Sequence, residues 1–233
     1  MNEFSDFKKV LVFSPHPDDL DFACSGTVAK MTKQGIEVVY CIITNGEKGI
    51  HKVKLPSKEM ISMREREQRK AAKVEGVQRV IFLSEIDGEL ENTKALRKKI
   101  VRVIREIKPD VVFSLDPSNK TFDSFYRFHR DHRMAAEAVF DAVYPAAGSS
   151  AFFPELERTG ILPHQVRRMW FFGTENPNVF IDISIDDKVE ALKQHVGQIE
   201  DMKVLSRRIR DRARAIGKKK KMKYAESFRE LTF

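Results

Sequence analysis

The sequence predicts an α/β fold: a Rossmann-like three-layer sandwich around a mostly parallel central sheet. Three features predict it. Short apolar, β-branched runs alternate with longer stretches of helical spacing through the first half of the chain. That alternation puts crossover helices on both faces of a parallel sheet. Polar segments rich in acids and histidines follow the strands, where doubly wound sheets collect ligands.

The elements follow in order. "KKVLVFSP" reads as a buried strand, four apolar residues closed by proline, and "CSGTVAKMTKQG" as a helix stopped by Gly35. "IEVVYCIIT" is a second strand, followed by a polar loop. "SKEMISMREREQRKAAKVEG" is a helix with serine near its start and glycine at its end. "QRVIFLS", "NTKALRKKIVRVIREIK" and "PDVVFSLDP" give a third strand, a third helix and a fourth strand. Later, "RDHRMAAEAVFDAVYP" reads as a helix and "VRRMWFFG" and "NVFIDIS" as strands. "DDKVEALKQHVGQIEDMKVLSRRIRDRARAI" reads as one or two helices. No repeat or low-complexity linker interrupts the chain, so residues 1–233 are expected to form a single domain.

Composition narrows the class. A hydrophobic fraction of 42% over 233 residues supports a real core, and two cysteines make no disulfide framework. The short, charged N-terminal stretch "MNEFSDFKKV" resembles neither a leader nor an anchor, and no apolar run approaches the roughly 20 residues of a membrane helix. A cytoplasmic protein is expected. The formal charge is +8, with much of the excess in Arg207 to Lys223. That run is expected to be a solvated helix face and a basic loop. It has no interleaved aromatics for base stacking, which disfavours nucleic acid, although a nucleic-acid-binding protein with a structural histidine cluster is the alternative reading.

Two clusters carry chemistry: "HPDD", residues 16–19, and "HRDHR", residues 129–133. Catalytic zinc commonly takes three nitrogen, sulfur or oxygen ligands and leaves a position open. His16 and Asp19 can converge from a tight turn, with Asp18 between them pointing into the cleft, where it could accept a proton from water. One of His129 and His132 could complete the metal site. The other could pair with Asp131, be held protonated, and face a developing oxyanion. Either cluster alone could instead be a capped turn or surface charge; their shared place at strand carboxyl ends favours a metal site.

The stretch "SPHPDDLDFACSGTVAKMTKQGIEVVY" resembles the opening of the LmbE-like (PIG-L) zinc-dependent N-acetylglucosaminyl de-N-acetylases. The resemblance continues through "TNGEKG", "REREQRKAAKVEGVQRVIFLSEIDGEL", "KPDVVFSLDP" and "HRDHR" to "KYAESF", and so covers most of the chain. It implies hydrolysis of the acetamide of an N-acetylglucosamine-containing small molecule to amine and acetate. It also implies one Zn2+ per chain, with Fe2+ as the alternative that nitrogen and oxygen ligands accept. His16, Asp19 and His132 would bind the metal. Asp18 would be the general base and then the acid, and His129, paired with Asp131, the electrophile. Arg64 would hold the substrate or Asp18, Asp87 would lie near the sugar, and Glu47 would be a weaker candidate of the same kind.

The sequence also departs from the family pattern. Leu20 stands where many relatives have glutamate, with Asp21 next; the register of Tyr126 against a family tyrosine is unsettled; and "HVGQ" keeps only the ends of a late H-x-S-Q segment, leaving His195 a pocket or structural residue. His51 and His164 read as loop histidines. The resemblance implies a homo-oligomer, with Ala142 to Leu156 as a contact or a lid. The endings "PNVFIDIS" and "KYAESFR" resemble the branch that acts on diacetylchitobiose.

Overall fold

A computed structural model describes residues 4–49 and 55–233, apart from the side chains of residues 125 and 126. The elements are β1 (Lys9–Ser14), α1 (Asp19–Lys33), β2 (Glu37–Thr44), α2 (Ser57–Val74), β3 (Arg79–Glu85), α3 (Lys94–Ile107) and β4 (Val111–Leu115). A short α4 (Phe125–Phe128) precedes α5 (Arg130–Asp141), a π-helical turn (Ala142–Ala147) and α6 (Pro154–Arg158). The chain closes with β5 (Arg168–Phe172), β6 (Val179–Asp182), α7 (Ile185–Leu192), α8 (Met202–Lys218) and β7 (Ala225–Thr232).

The strands form one sheet in the order β3-β2-β1-β4-β5-β7-β6. The first five are parallel; β7 runs antiparallel to both β5 and β6. Alternation along each strand supplies both faces. Val10, Val12, Tyr40, Ile42 and Phe113 pack with Leu20, Val28 and Met31 of α1 and Ile209 of α8. Leu11, Phe13, Val39, Cys41 and Val112 face Ile100, Val101 and Ile104 of α3 and Ala138 and Val139 of α5. The three-layer α/β sandwich is as expected.

Three elements differ from the sequence reading. Helix α1 begins at Asp19, five residues earlier than its apolar spacing announces. Leu20 extends the buried row of Cys24, Val28 and Met31, and Asp19 and Asp21 suit the positive end of the helix dipole. The helix expected through Pro145 leaves α geometry after Asp141, and Tyr144, before a proline, is extended at φ −133° and ψ 124°. Strand β7 was hidden by its polar composition. Its buried Glu226 is neutralised by Lys188 at 2.6 Å, and Arg229 reaches Asp116 at 3.4 Å.

The basic run forms most of α8 and the turn after it. Ile209, Ala213 and Gly217 face inward, whereas the lysines of residues 218–221 are exposed. Arg210 pairs with Asp186 at 2.6 Å and Arg214 with Asp211 at 3.0 Å. This is the solvated face that was expected.

Close approach explains one glycine. A Cβ on Gly26 would lie 2.7 Å from Ile183 Cδ1 and 2.9 Å from its Cβ. Gly26→Val is expected to destabilise the fold by about 1–3 kcal/mol through overpacking. Urea unfolding of the variant beside wild type checks this, and an unchanged midpoint would show that the helix can shift freely.

Candidate active site

The carboxyl end of β1 turns through Pro15–Asp18 into α1, and α5 delivers the second cluster against it. His16, Asp19, Asp131 and His132 are all buried. Asp19 Oδ2 lies 3.0 Å from His16 Nδ1 and 3.1 Å from His132 Nε2. His16, His129 and His132 each offer a ring nitrogen, all within 4.8 Å of one another. Two imidazoles and one carboxylate so converge at nearly the spacing of ligand atoms around one small ion, about 3.3 Å for ligand distances near 2.0–2.1 Å. Their nitrogen and oxygen chemistry fits a divalent cation, with His16, Asp19 and His132 as the residues able to hold it.

The other nitrogen of His16 faces acids. Its Nε2 lies 2.9 Å from Asp131 Oδ2 and 3.1 Å from Asp87 Oδ1. Asp131 also accepts the Gly88 N–H at 2.7 Å and the Leu90 N–H at 3.1 Å. This corrects the expected pairing of the Asp131 carboxylate with His129. The carboxylate orients the ring of His16, in the way outer carboxylates commonly orient ligand histidines. What His129 receives is the Asp131 backbone N–H, on Nδ1 at 3.2 Å, as the N-cap of α5.

That contact and the electrostatics define the state of His129. Burial, then His16 and His132, lower its pKa against the opposing pull of Asp131 and Asp19. The ring is neutral, with its proton on Nε2. This differs from the protonated ring expected from the sequence.

Asp18 sits apart from this cluster. Its backbone has φ 91° and ψ −34°, a strained region for a residue with a Cβ. Arg64 on α2 approaches its Oδ2 at 3.1 Å while donating to the carbonyls of Gly46 (2.9 Å) and Pro17. Burial raises the Asp18 pKa to about 6, with Asp19 adding to the rise and Arg64 opposing it. Burial would raise Asp19 too, but His132 and His16 overcome it and hold that acid well below the usual range. Two adjacent aspartates so have opposite proton affinities: one suits an ion and the other suits a moving proton.

A cleft of about 520 Å³ opens over His16, Asp18, Asp87 and His129, with Phe22, Gln198 and Ile199 on its wall. Asp87 and Arg64 also line this cleft. Glu47 does not, and its carboxylate accepts from the Ser57 hydroxyl at the start of α2. His164 lies elsewhere, its Nε2 on the Pro109 carbonyl at 2.8 Å. His51 is outside the described residues, and so is the side chain of Tyr126. A second cavity of about 310 Å³ shares Phe22 with the cleft and is also lined by Thr174 and Arg127.

Behind Asp18 lie His195, read from the sequence as a pocket or structural residue, Asp21, and Gln68, which sequence reasoning missed. Asp21 Oδ2 accepts from His195 Nε2 at 2.8 Å and from Gln68 Nε2 at 2.9 Å, and Gln68 Oε1 accepts the Asp18 N–H at 2.8 Å. Farther in, the Tyr40 hydroxyl meets Glu75. The available signal was an acid displaced by one position from the family's glutamate, together with the surviving ends of "HVGQ".

An α/β sheet with an imidazole–carboxylate cluster at the end of its first strand, beside a protonatable acid, defines a hydrolase-type metal site. The chain matches the family model "PIG-L: GlcNAc-PI de-N-acetylase" over residues 11–143. It is 35% identical to diacetylchitobiose deacetylase of Thermococcus kodakarensis, over 97% of this chain and 84% of that protein. It is 26% identical to a probable N-acetyl-alpha-D-glucosaminyl L-malate deacetylase 2 of Bacillus anthracis, over 82% of this chain and 81% of that protein. N,N'-diacetylchitobiose deacetylase from Pyrococcus horikoshii, solved with its inhibitor MPG, superposes with a TM-score of 0.91 at 29% identity, covering 100% of this chain and 86% of that one. The chain belongs to the PIG-L family.

The buried acids behind the site set a pH dependence. Burial, then the Asp21 charge, raises the Glu75 pKa well above its usual value, so folded Glu75 is neutral. The unfolded chain ionises this group above its ordinary pKa of about 4.5, so the folded state binds more protons between the two values. Stability therefore falls as pH rises through that window, by up to about 1.4 kcal/mol per pH unit. Glu75→Gln is expected to remove this slope, so the variant gains on wild type from pH 5 to 8. Urea unfolding across that range checks it; parallel curves would show that Glu75 is ionised in the fold.

Proposed function

We propose that this protein is a zinc-dependent de-N-acetylase that hydrolyses the acetamide of an N-acetylglucosamine-containing small molecule to the free amine and acetate. The carrying observation is the convergence of His16, Asp19 and His132 at 3.0–3.1 Å beside an Arg64-held Asp18 in an open cleft. Family membership and deacetylase relatives over most of the chain support the same reading. The nucleic-acid alternative has less behind it, because α8 uses its apolar stripe for packing and its cations as a solvated face.

His16, Asp19 and His132 would hold the ion. When bound, a divalent cation supplies positive charge that polarises the acyl group and acidifies water. Asp18, with its raised pKa, accepts the proton of the attacking water and returns it to the departing nitrogen. Arg64 keeps that carboxylate aimed into the cleft. His129 donates from Nε2 to the oxygen that becomes negative as the carbonyl is attacked. Asp131 fixes the ring of His16, and Asp87 is placed both to orient His16 and to meet sugar hydroxyls.

The group attached to the sugar is assigned to the second cavity, because the two share Phe22 as a lining residue. No helix among the described residues is long and apolar enough to cross a membrane. A cytoplasmic setting and self-association complete the reading. The exposed Tyr144 and Phe152 support a self-association contact in residues 142–156. Sedimentation velocity tests this, and a monomer at micromolar concentration would count against it.

Metal content and acetate release test the main reading together. Zinc-loaded protein is offered N-acetylglucosamine, diacetylchitobiose and N-acetylglucosaminyl malate. About one metal per chain and zinc-dependent acetate from at least one substrate are expected, and protein that binds no metal would refute the site. Asp18→Asn is expected to lose about 10²–10⁴-fold in kcat with metal retained. His132→Ala should lose metal and activity together, whereas His129→Ala should lose activity alone.

A further inference from the structure

Asp21, Gln68 and His195 are fully buried and touch neither cleft nor cluster, so the reaction gives them no direct task. Their hydrogen bonds nevertheless end on the reacting acid. Gln68 stands four residues after Arg64 on α2, so both side chains leave the same face of that helix. Arg64 takes the Asp18 carboxylate at 3.1 Å, and Gln68 takes the Asp18 backbone N–H at 2.8 Å. One helix face so grips Asp18 at both ends.

The sense of the Gln68 amide is forced. A backbone N–H can only donate and an ionised carboxylate can only accept, so Oε1 must face Asp18 and Nε2 must face Asp21. The fixed element is Asp21, whose Oδ2 also takes His195 Nε2 at 2.8 Å, while Lys188 Nζ donates to the Asp21 carbonyl at 3.1 Å. Were Asp21 replaced by a donor, the amide would be free to turn and present N–H to N–H at Asp18. Asp18 needs such a partner because its φ of 91° persists only where the surroundings over-determine it.

We infer that Gln68, locked by Asp21 and His195, is a positioning residue that holds the Asp18 backbone in its strained turn and thereby aims the carboxylate into the cleft. This rests on reading Asp18 as the proton acceptor. The contribution is geometric, and a displacement of about 1 Å at a catalytic group can cost on the order of 10²-fold in rate.

The test is Gln68→Met, which keeps length and apolar bulk but removes both hydrogen bonds, in the full-length metal-loaded protein. Its kcat is expected to fall roughly 10- to 100-fold, with KM and metal content within about twofold of wild type. His195→Gln, which still offers Asp21 a donor, is expected to stay within a few-fold of wild type. An N-trifluoroacetyl substrate, more electrophilic and less dependent on the base, should recover much of the Gln68→Met loss. A variant that merely folds less well would lose equally on both substrates, which would overturn the inference, as would an unchanged kcat. A crystal structure of Gln68→Met adds a readout without turnover. Asp18 leaving positive φ supports the inference, and Asp18 remaining in place overturns it. Wild-type protein that releases no acetate would count against the deacetylase reading alone, with the crystallographic comparison still deciding the bracing.

Discussion

Two neighbouring carboxylates must point in different directions and differ in proton affinity, and the rest of the site is arranged around that demand. Asp19 begins α1 and turns towards the histidines; Asp18, one residue earlier, turns towards α2. The chain adopts φ 91° and ψ −34° at Asp18. Such a conformation costs of order 1–3 kcal/mol and so has to be maintained by its surroundings. Repulsion from Asp19 adds to the rise that burial imposes on Asp18.

The restraint comes from α2, which does little for the central sheet. Its apolar contribution is modest: Met60, Ala71 and Ala72 are its buried apolar side chains. Its buried polar side chains carry the functional geometry. Arg64 and Gln68 hold Asp18, and Glu67 accepts the Gly197 N–H at 2.8 Å, fixing the loop that brings Gln198 and Ile199 to the cleft wall. A helix with buried arginine, glutamate and glutamine on one face would be a poor stability element if those groups lacked partners. Their hydrogen bonds are long-range in sequence, reaching Pro17, Asp18, Gly46 and Gly197. The site and the packing of α2 are thus one arrangement.

This division explains what the sequence made legible. The parallel β-strands were readable because each has apolar side chains for both faces, as in "VLVF" and "VVYCII". The ligand residues were readable because histidine and aspartate close behind a strand are chemically conspicuous. Strand β7 was not, since "AESFRELT" buries Glu226 beside Lys188, a partner 38 residues earlier that no local pattern announces. The role of Gln68 was hidden for the same reason, and Asp21 and His195, although conspicuous in the sequence, showed no shared task until positions 18, 21, 68 and 195 meet. The partner of Asp131 was misjudged because sequence proximity favoured His129, two residues away, over His16, 115 residues away. Glu47 sat in the right loop, but its side chain turned to Ser57, a choice set by where α2 begins.

The same geometry shows why the site asks for a cation. Asp18, Asp19, Asp87 and Asp131 surround His16 and its neighbours, and Arg64 pairs with Asp18. Both helices that frame the cluster present their N-terminal ends to it: α1 carries Asp19 in its first turn and α5 carries Asp131 in its own. Helix N-termini stabilise carboxylates there by fractions of a kcal/mol to about 1 kcal/mol each. Backbone N–H groups of Gly88 and Leu90 add further donors to Asp131. The fold so uses dipoles and amides to keep acids ionised in a buried place, where charges without partners are costly. Acids held in that state, crowded with imidazoles at 3.0–3.1 Å, form a donor set that fits a small divalent ion.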